Sequence, residues 1–289
     1  MRILIFGATG MLGSTLFRTL SKKSNFDVYA TARSASATKY FSELQTKLIT
    51  GINAENKDCL IKAFIHAKPD VVINCIGLIK QLPQANDPLS AITINAYLPH
   101  ELSQLCKLMN CRFIHISTDC VFSGKKGFYL ENDTPDATDV YGRSKLLGEV
   151  YDSHAITLRT SIIGHELTTH QSLVNWFLAQ KDKVLGYEKA IFSGLPTIEL
   201  AEIIRKVIEE HPDLTGLYHI AGNPINKHDL LQLIATTYHK TIDIIRDSQV
   251  AIDRSLNADL FNSLTGYIAP AWPVLIKRMN QFAKACSQN

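Results

Sequence analysis

Short apolar runs alternate with longer amphipathic stretches along this chain, and that alternation restricts the folds open to it. Residues 3–6, 28–31, 48–50, 71–76, 113–117 and 156–159 read as strands. Between them lie helical patterns, such as 57–67, where Leu60, Ile61, Phe64 and Ile65 recur at helical spacing and Pro69-Asp70 ends the helix. Further helices are expected over about 89–109 and from 141 to about 152. Strands that are apolar at every position are buried on both faces, and parallel pairing needs crossovers of helix length. The expected architecture is α/β, a doubly wound parallel sheet with helices on both sides. Beyond residue 165, helices near 171–180, 198–210, 227–239 and 271–285 and a short strand at 217–220 suggest a smaller lobe that partly returns to the main sheet. Glycine and proline cluster at 186–196, 212–224 and 266–273, where irregular chain is expected.

Composition closes other doors. A chain of 289 residues, 46% hydrophobic and with a net charge of +3, can bury a full core and is not a disordered one. No basic run is longer than two residues, as at Lys125-Lys126, so neither a nucleic-acid polymer nor a membrane surface is expected as a partner. No stretch approaches the roughly 18 apolar residues of a membrane helix, and the N-terminal apolar run stops at Gly7, too soon for a signal peptide. A soluble, cytoplasmic protein is expected, with a homodimer left open. Cys59, Cys75, Cys106, Cys111, Cys120 and Cys286 form no CxxC pair and read as reduced thiols. His165-Glu166 with His170 is one position too long for HExxH, and on a helix that spacing turns the second histidine off the first one's face. No metal site is expected.

Gly7-Ala8-Thr9-Gly10-Met11-Leu12-Gly13 follows the first strand directly and opens the first helix. Glycine there allows a tight turn, lets a pyrophosphate approach the backbone, and brings helix and strand close, while the helix N-terminus offers unpaired N–H groups. With no Lys-Ser/Thr following, the spacing suggests a Rossmann-like dinucleotide cradle rather than a P-loop. A turn needed only for packing is the plainer alternative. Arg33 stands past the second strand, where an NAD site carries an acid and an arginine accommodates a 2′-phosphate. NADP(H) is therefore favoured over NAD(H), against the alternative of a solvated loop arginine.

Tyr141 and Lys145 lie at i and i+4, on one helix face. A neighbouring ammonium is expected to lower the phenol's pKa and make it a better acid. Ser117-Thr118-Asp119 closes the fifth strand, at the carboxyl end where doubly wound sheets bind ligands. Thr118 would hydrogen-bond the same carbonyl oxygen that Tyr141 protonates. YxxxK alone often marks a solvent-facing pair; its place after five strands and a glycine cradle favours chemistry.

These features together resemble an extended short-chain dehydrogenase/reductase. Ser117-Thr118-Asp119-Cys120-Val121-Phe122-Ser123-Gly124, Tyr141-Gly142-Arg143-Ser144-Lys145-Leu146-Leu147-Gly148-Glu149 and Leu158-Arg159-Thr160-Ser161 resemble, more narrowly, the dTDP-4-dehydrorhamnose reductase family and its sugar-nucleotide relatives. The resemblance implies Thr118, Tyr141 and Lys145 as the catalytic set and Gly7 through Gly13 on the pyrophosphate. It places Asn74, Cys75, Ile76 and Gly77 on the ribose side, Asn95 near the active lysine, and Asn53 beside the adenine. Thr118, Asp119, Val121, Phe122 and Ser161 would meet a nucleotide-sugar substrate; Lys80, in a stretch unlike the family's rhamnose enzyme, reads equally as a contact for a substrate phosphate or as a solvated lysine. Residues 1–165 would then be the dinucleotide-binding domain with the catalytic residues, and 166–289 mostly the substrate-binding lobe. Thr15 replaces the glutamate that rhamnose-forming members use in a magnesium-linked dimer, so neither that metal nor that dimer is implied.

The implied reaction is NADPH-dependent reduction of the C4 ketone of a nucleotide-activated 6-deoxy-4-keto sugar, in cell-surface polysaccharide biosynthesis. Dehydratases of this superfamily follow the threonine with Asp-Glu; here Cys120 follows Asp119, which disfavours dehydration. An epimerase and a non-catalytic NADP-binding regulatory subunit stay open, because one fold hosts many functions.

Overall fold

The computed structural model describes residues 1–79, 86–168 and 171–287. Its strands are β1 (Arg2–Phe6), β2 (Asp27–Thr31), β3 (Leu48–Ile49), β4 (Val71–Asn74), β5 (Arg112–Thr118), β6 (Ala155–Thr160), β7 (Ile162–Ile163), β8 (Lys183–Phe192), β9 (Leu195–Pro196), β10 (Gly216–His219), β11 (Ile225–Asn226) and β12 (Asp243–Asp253). The helices are α1 (Met11–Leu20), α2 (Lys57–Ala67), α3 (Pro88–Ala91), α4 (Leu98–Leu108), α5 (Val140–Leu147), α6 (Leu173–Ala179), α7 (Thr197–Glu209), α8 (Lys227–Tyr238), α9 (Asp259–Thr265) and α10 (Trp272–Ser287).

Seven strands form one parallel sheet in the order β10-β6-β5-β4-β1-β2-β3. The chain runs outward from β1 through β2 to β3, then crosses back to β4 and continues the other way. Strand order therefore reverses between β1 and β4, which opens a crevice at their carboxyl ends. β1 shows why both faces need cover. Ile3 and Ile5 enter one core with Leu16, Phe17 and residues of α7, whereas Leu4 and Phe6 enter the other with Leu60, Phe64 and Leu102. All four are 0% exposed, each burial contributing about 2 kcal/mol.

Three expectations from the sequence need correction. The helix expected over about 89–109 is interrupted by a π-helical turn, Ile92–Tyr97, between α3 and α4. The helix expected to reach about residue 152 stops at Leu147, with Gly148 as its C-cap, where a Cβ would strike the Asn95 carbonyl of that π turn. The glycine-marked stretch near 186 is not irregular: β8 runs through it and pairs in parallel with β12 and antiparallel with β11. Gly186 lets α8 approach, since a Cβ there would sit 2.9 Å from His228 Cδ2. No helix among the described residues is long and apolar enough to cross a membrane.

Candidate active site

The crevice is floored by the turn between β1 and α1. Gly7 holds φ +94°, a left-handed value that glycine adopts freely, and a Cβ there would lie 3.0 Å from Ile76 Cγ1. A Cβ on Gly13 would collide with the Gly7 carbonyl, so the third glycine lets the helix fold back onto its own entry loop. Gly10 is the N-cap, and no side chain caps α1. Its first-turn amides thus face outward beside exposed Thr9 and Gly10 and half-buried Met11, while Leu12 and Gly13 are buried. Uncapped amides with no obstructing Cβ fit a dinucleotide pyrophosphate.

At the carboxyl end of β5, Thr118 is 7% exposed, its Oγ1 donating to Asp119 Oδ1 at 3.2 Å and accepting from the Cys120 amide at 3.1 Å. Tyr141 is half-buried, and the Thr118 hydroxyl acts to lower its phenol's pKa. α5 is aimed by Asp139, whose Oδ1 accepts from the Gly142 amide at 2.7 Å as its N-cap. One turn on, Lys145 donates from Nζ to the Ile116 carbonyl at 2.8 Å. Burial pulls this ammonium down to about 8, against the opposing charge of Glu149.

The expected acidification of Tyr141 by Lys145 is overturned. Burial pushes the phenol above its ordinary value, and the charges of Cys120 and Asp119 act in the same direction. The Thr118 hydroxyl opposes them. Lys145 is turned to the strand backbone, so the phenol is held fully protonated rather than poised to ionise. Asp119, also buried, has its carboxyl raised.

Asn95 in the π turn is fully buried, its Oδ1 accepting from the Leu78 amide at 2.9 Å and its Nδ2 donating to Ser144 Oγ at 3.2 Å. It clamps the loop after β4 to α5, and a Cβ on Gly77 would lie 3.4 Å from Asn95 Oδ1 and 3.9 Å from Lys145 Nζ. A π turn at such a place is a frequent mark of a functional site. Cys75 and Ile76 are half-buried at the same rim; burial pushes the Cys75 thiol up to about 12.

Several expected contacts are displaced. Asn74 is 0% exposed; its Oδ1 accepts from the Ile76 amide and its Nδ2 lies 3.3 Å from His115 Nδ1, so it shapes the loop instead of lining the crevice. Val121 and Phe122 are 0% exposed and belong to a small core with Tyr129, Ala221, Leu256 and Ala258, underlying the rim instead of facing it. Arg33 and Asn53 are exposed beyond the carboxyl ends of β2 and β3. Ser161 is half-buried, and its carbonyl accepts from the Leu195 amide at 2.9 Å. Lys80 and His170 lie outside the described residues. His165 Nε2 lies 2.8 Å from the Tyr238 hydroxyl, and no metal-holding cluster occurs among the described residues. Thr15 is buried against Thr197, their hydroxyls 3.0 Å apart.

Sequence reasoning gave no role to Glu149 and Arg159, although both fall within the quoted motifs, nor to Lys227 and Arg254 far along the chain. Glu149 is in fact spaced four residues from Lys145, a regularity that could have drawn notice.

A parallel sheet with a glycine turn at its crevice, and threonine, tyrosine and lysine grouped at the next strand end, defines an extended short-chain dehydrogenase/reductase fold. The chain belongs to the RmlD substrate binding domain family, whose model matches residues 1–258. It is 28% identical to the dTDP-4-dehydrorhamnose reductase of Aggregatibacter actinomycetemcomitans, covering 96% of this chain and 88% of that protein. It is also 25% identical to mouse methionine adenosyltransferase 2 subunit beta, covering 97% and 90% respectively. Among solved structures, the Bacillus anthracis dTDP-4-dehydrorhamnose reductase in complex with NADP superposes with a TM-score of 0.80 at 22% identity, covering 97% of this chain and 99% of that one.

Proposed function

We propose that this protein is an NAD(P)-dependent oxidoreductase that reduces the C4 ketone of a nucleotide-activated 6-deoxy-4-keto sugar in polysaccharide sugar biosynthesis. The observation that carries the reading is the placing of Thr118 at the end of β5 beside α5, which carries Tyr141 and, one turn on, buried Lys145 bonded from Nζ to the Ile116 carbonyl of the same strand. Family membership and the likeness to dTDP-4-dehydrorhamnose reductases support the substrate class.

The uncapped α1 turn would hold the cofactor's pyrophosphate, Gly77 and Lys145 would lie along its nicotinamide ribose, and Arg33 would meet a 2′-phosphate, favouring NADP(H) over NAD(H). The bound nicotinamide supplies a hydride. Thr118 then orients the sugar carbonyl, and Tyr141, kept protonated by burial, gives its phenolic proton to the oxygen as charge develops there. Lys145 holds positive charge behind that oxygen, which favours the alkoxide-like transition state. Residues 166–289 would select sugar and base.

The likeness to methionine adenosyltransferase 2 subunit beta keeps a binding role as the reading to test against. Purified protein is mixed with NADPH and a panel of dTDP- and UDP-linked 4-keto-6-deoxy sugars, following absorbance at 340 nm on the order of minutes. Loss of NADPH matching product one for one is expected. A converted sugar with no net NADPH loss would show epimerisation, and tight NADPH binding with no conversion of any sugar would show a binding module.

A further inference from the structure

To orient a carbonyl oxygen, Thr118 must have its one hydroxyl proton free. Here that proton is engaged. Thr118 is the N-cap of the 3-10 turn Asp119–Val121, and its Oγ1 accepts from the Cys120 amide at 3.1 Å and donates to Asp119 Oδ1 at 3.2 Å. Both residues are buried, 7% and 9% exposed. The turn is tied on several sides: the Phe122 amide donates to the Asp119 carbonyl at 3.0 Å, and the Ala137 amide to the Val121 carbonyl at 3.0 Å. A Cβ on Gly142 of α5 would strike the Cys120 carbonyl, so the helix presses on the turn as well. With the oxygens held in place, what can change is which of them carries the proton.

A hydroxyl offers one proton and two lone pairs, and the Cys120 amide occupies one lone pair of Thr118 Oγ1. A carboxylate can only accept. It captures the threonine proton in a charge-assisted bond, roughly twice as strong as a neutral one. A protonated carboxyl can instead donate into the second lone pair of Oγ1, which leaves the threonine proton to the crevice.

We infer that Asp119 is a positioning residue that decides where the Thr118 hydroxyl proton points: as a carboxylate it takes that proton, and as a neutral acid it donates to Thr118 Oγ1 and frees the threonine to hydrogen-bond the sugar's C4 carbonyl. The inference rests on the reductase reading above and adds a protonation requirement to it. Asp119 draws its proton from solvent and keeps it; the proton delivered to the sugar still comes from Tyr141. The surroundings suit this role. Burial raises the Asp119 carboxyl above its ordinary range, against the charges of Arg254 and Lys227. Burial also pushes the neighbouring Cys120 thiol up to about 12 and holds Tyr141 on α5 protonated, so neither adds a negative charge. Asp139, at the entry to α5, is engaged as N-cap by the Gly142 amide at 2.7 Å.

The test follows kcat/KM for 4-keto sugar reduction from about pH 5 to about 7.5, below the titration of Lys145 near 8. Wild type should lose at least about tenfold as pH rises and Asp119 ionises. Asp119→Asn, whose amide can donate to Oγ1 at every pH, should lack that falling limb. Thr118→Val, with no proton to turn, should be slower throughout and lack it too. A second measurement needs no turnover: carbon NMR of the aspartate carboxyls in the full chain with NADP+ bound, Asp119 being the resonance missing from Asp119→Asn. Thr118→Val removes a donor to the carboxylate, so Asp119 should titrate at a pH higher by at least about 0.5. A flat wild-type profile, a limb that survives in either variant, or an unmoved Asp119 titration overturns the inference. Sugar reduced with an unmoved titration overturns the inference alone and leaves the reductase. No sugar reduced, with the titration moved, removes the reductase reading and with it the carbonyl as the target of the freed proton.

Discussion

Glu149 and Arg159 form a two-pronged ion pair, Nε to Oε1 and Nη2 to Oε2, both at 2.7 Å, with side chains 0% and 3% exposed. Ser117 Oγ donates to the same carboxylate at 2.7 Å and the Tyr151 hydroxyl at 3.0 Å. Arg159 in turn lies over the Phe122 ring, 5.3 Å from its centroid, and Phe122 stacks on Tyr129 at 4.1 Å. The pair therefore ties the strand end carrying Thr118 to the small core beneath the rim. It also places a negative charge near Lys145, opposing the burial that would strip the lysine of its proton.

Removing one partner leaves a buried charge without compensation. Glu149→Ala should destabilise the protein by about 3–5 kcal/mol, whereas replacing both residues with apolar ones of similar volume should cost much less. Urea unfolding of the single and double variants measures this. Equal losses for single and double variants would show that packing, not the unpaired charge, sets the cost.

Tyr141→Phe removes the hydroxyl proposed as the proton donor and keeps the ring. Turnover should fall at least about a hundredfold, with NADPH affinity changed by no more than about twofold. Steady-state rates and cofactor titration together read this; wild-type turnover in the variant would end the proposed role of the phenol.

Arg33 is exposed past β2, and its proposed partner is a 2′-phosphate. Wild type should have a higher kcat/KM with NADPH than with NADH, and Arg33→Ala should erase at least about tenfold of that preference through KM. A variant with an unchanged NADPH/NADH ratio would remove Arg33 from the site.

Lys145 carries its proton at a cost in the folded state. Its ammonium titrates near 8 when folded but keeps its ordinary value of 10.5 in the unfolded chain. Between those values the unfolded chain holds more protons, so this group's contribution to stability rises with pH. Below pH 8 the full cost applies, about 3 kcal/mol. Lys145→Met deletes that titration, so it should be inactive yet more stable relative to wild type at pH 7 than at pH 10. Denaturant midpoints at pH 7, 8.5 and 10 follow the gap; a gap independent of pH contradicts the buried-ammonium account.

Much of the fold was legible because its causes are local. Continuous apolar runs require burial on both faces, so β1, β4 and β5 were readable from composition within a few residues. Gly13 was readable as well, since a helix that doubles back on its strand leaves no room for a side chain beside the Gly7 carbonyl. β8 was missed because Gly186 serves a contact with His228, 42 positions away, and a local pattern reads such a glycine as a turn. The same holds for Val121 and Phe122: their motif suggested a rim, while Leu256 and Ala258 bury them from far along the chain.

From its residues alone, the chain settled its parallel architecture, its glycine turn and the spacing that puts Tyr141 and Lys145 on one helix face. All of these depend on neighbours within a turn or a strand. Tertiary structure alone decided the electrostatics, because desolvation and charge depend on what distant segments bring near. It set the phenol's pKa upward instead of downward, turned Lys145 to the Ile116 carbonyl, and brought Arg254 Nε to the Phe122 carbonyl.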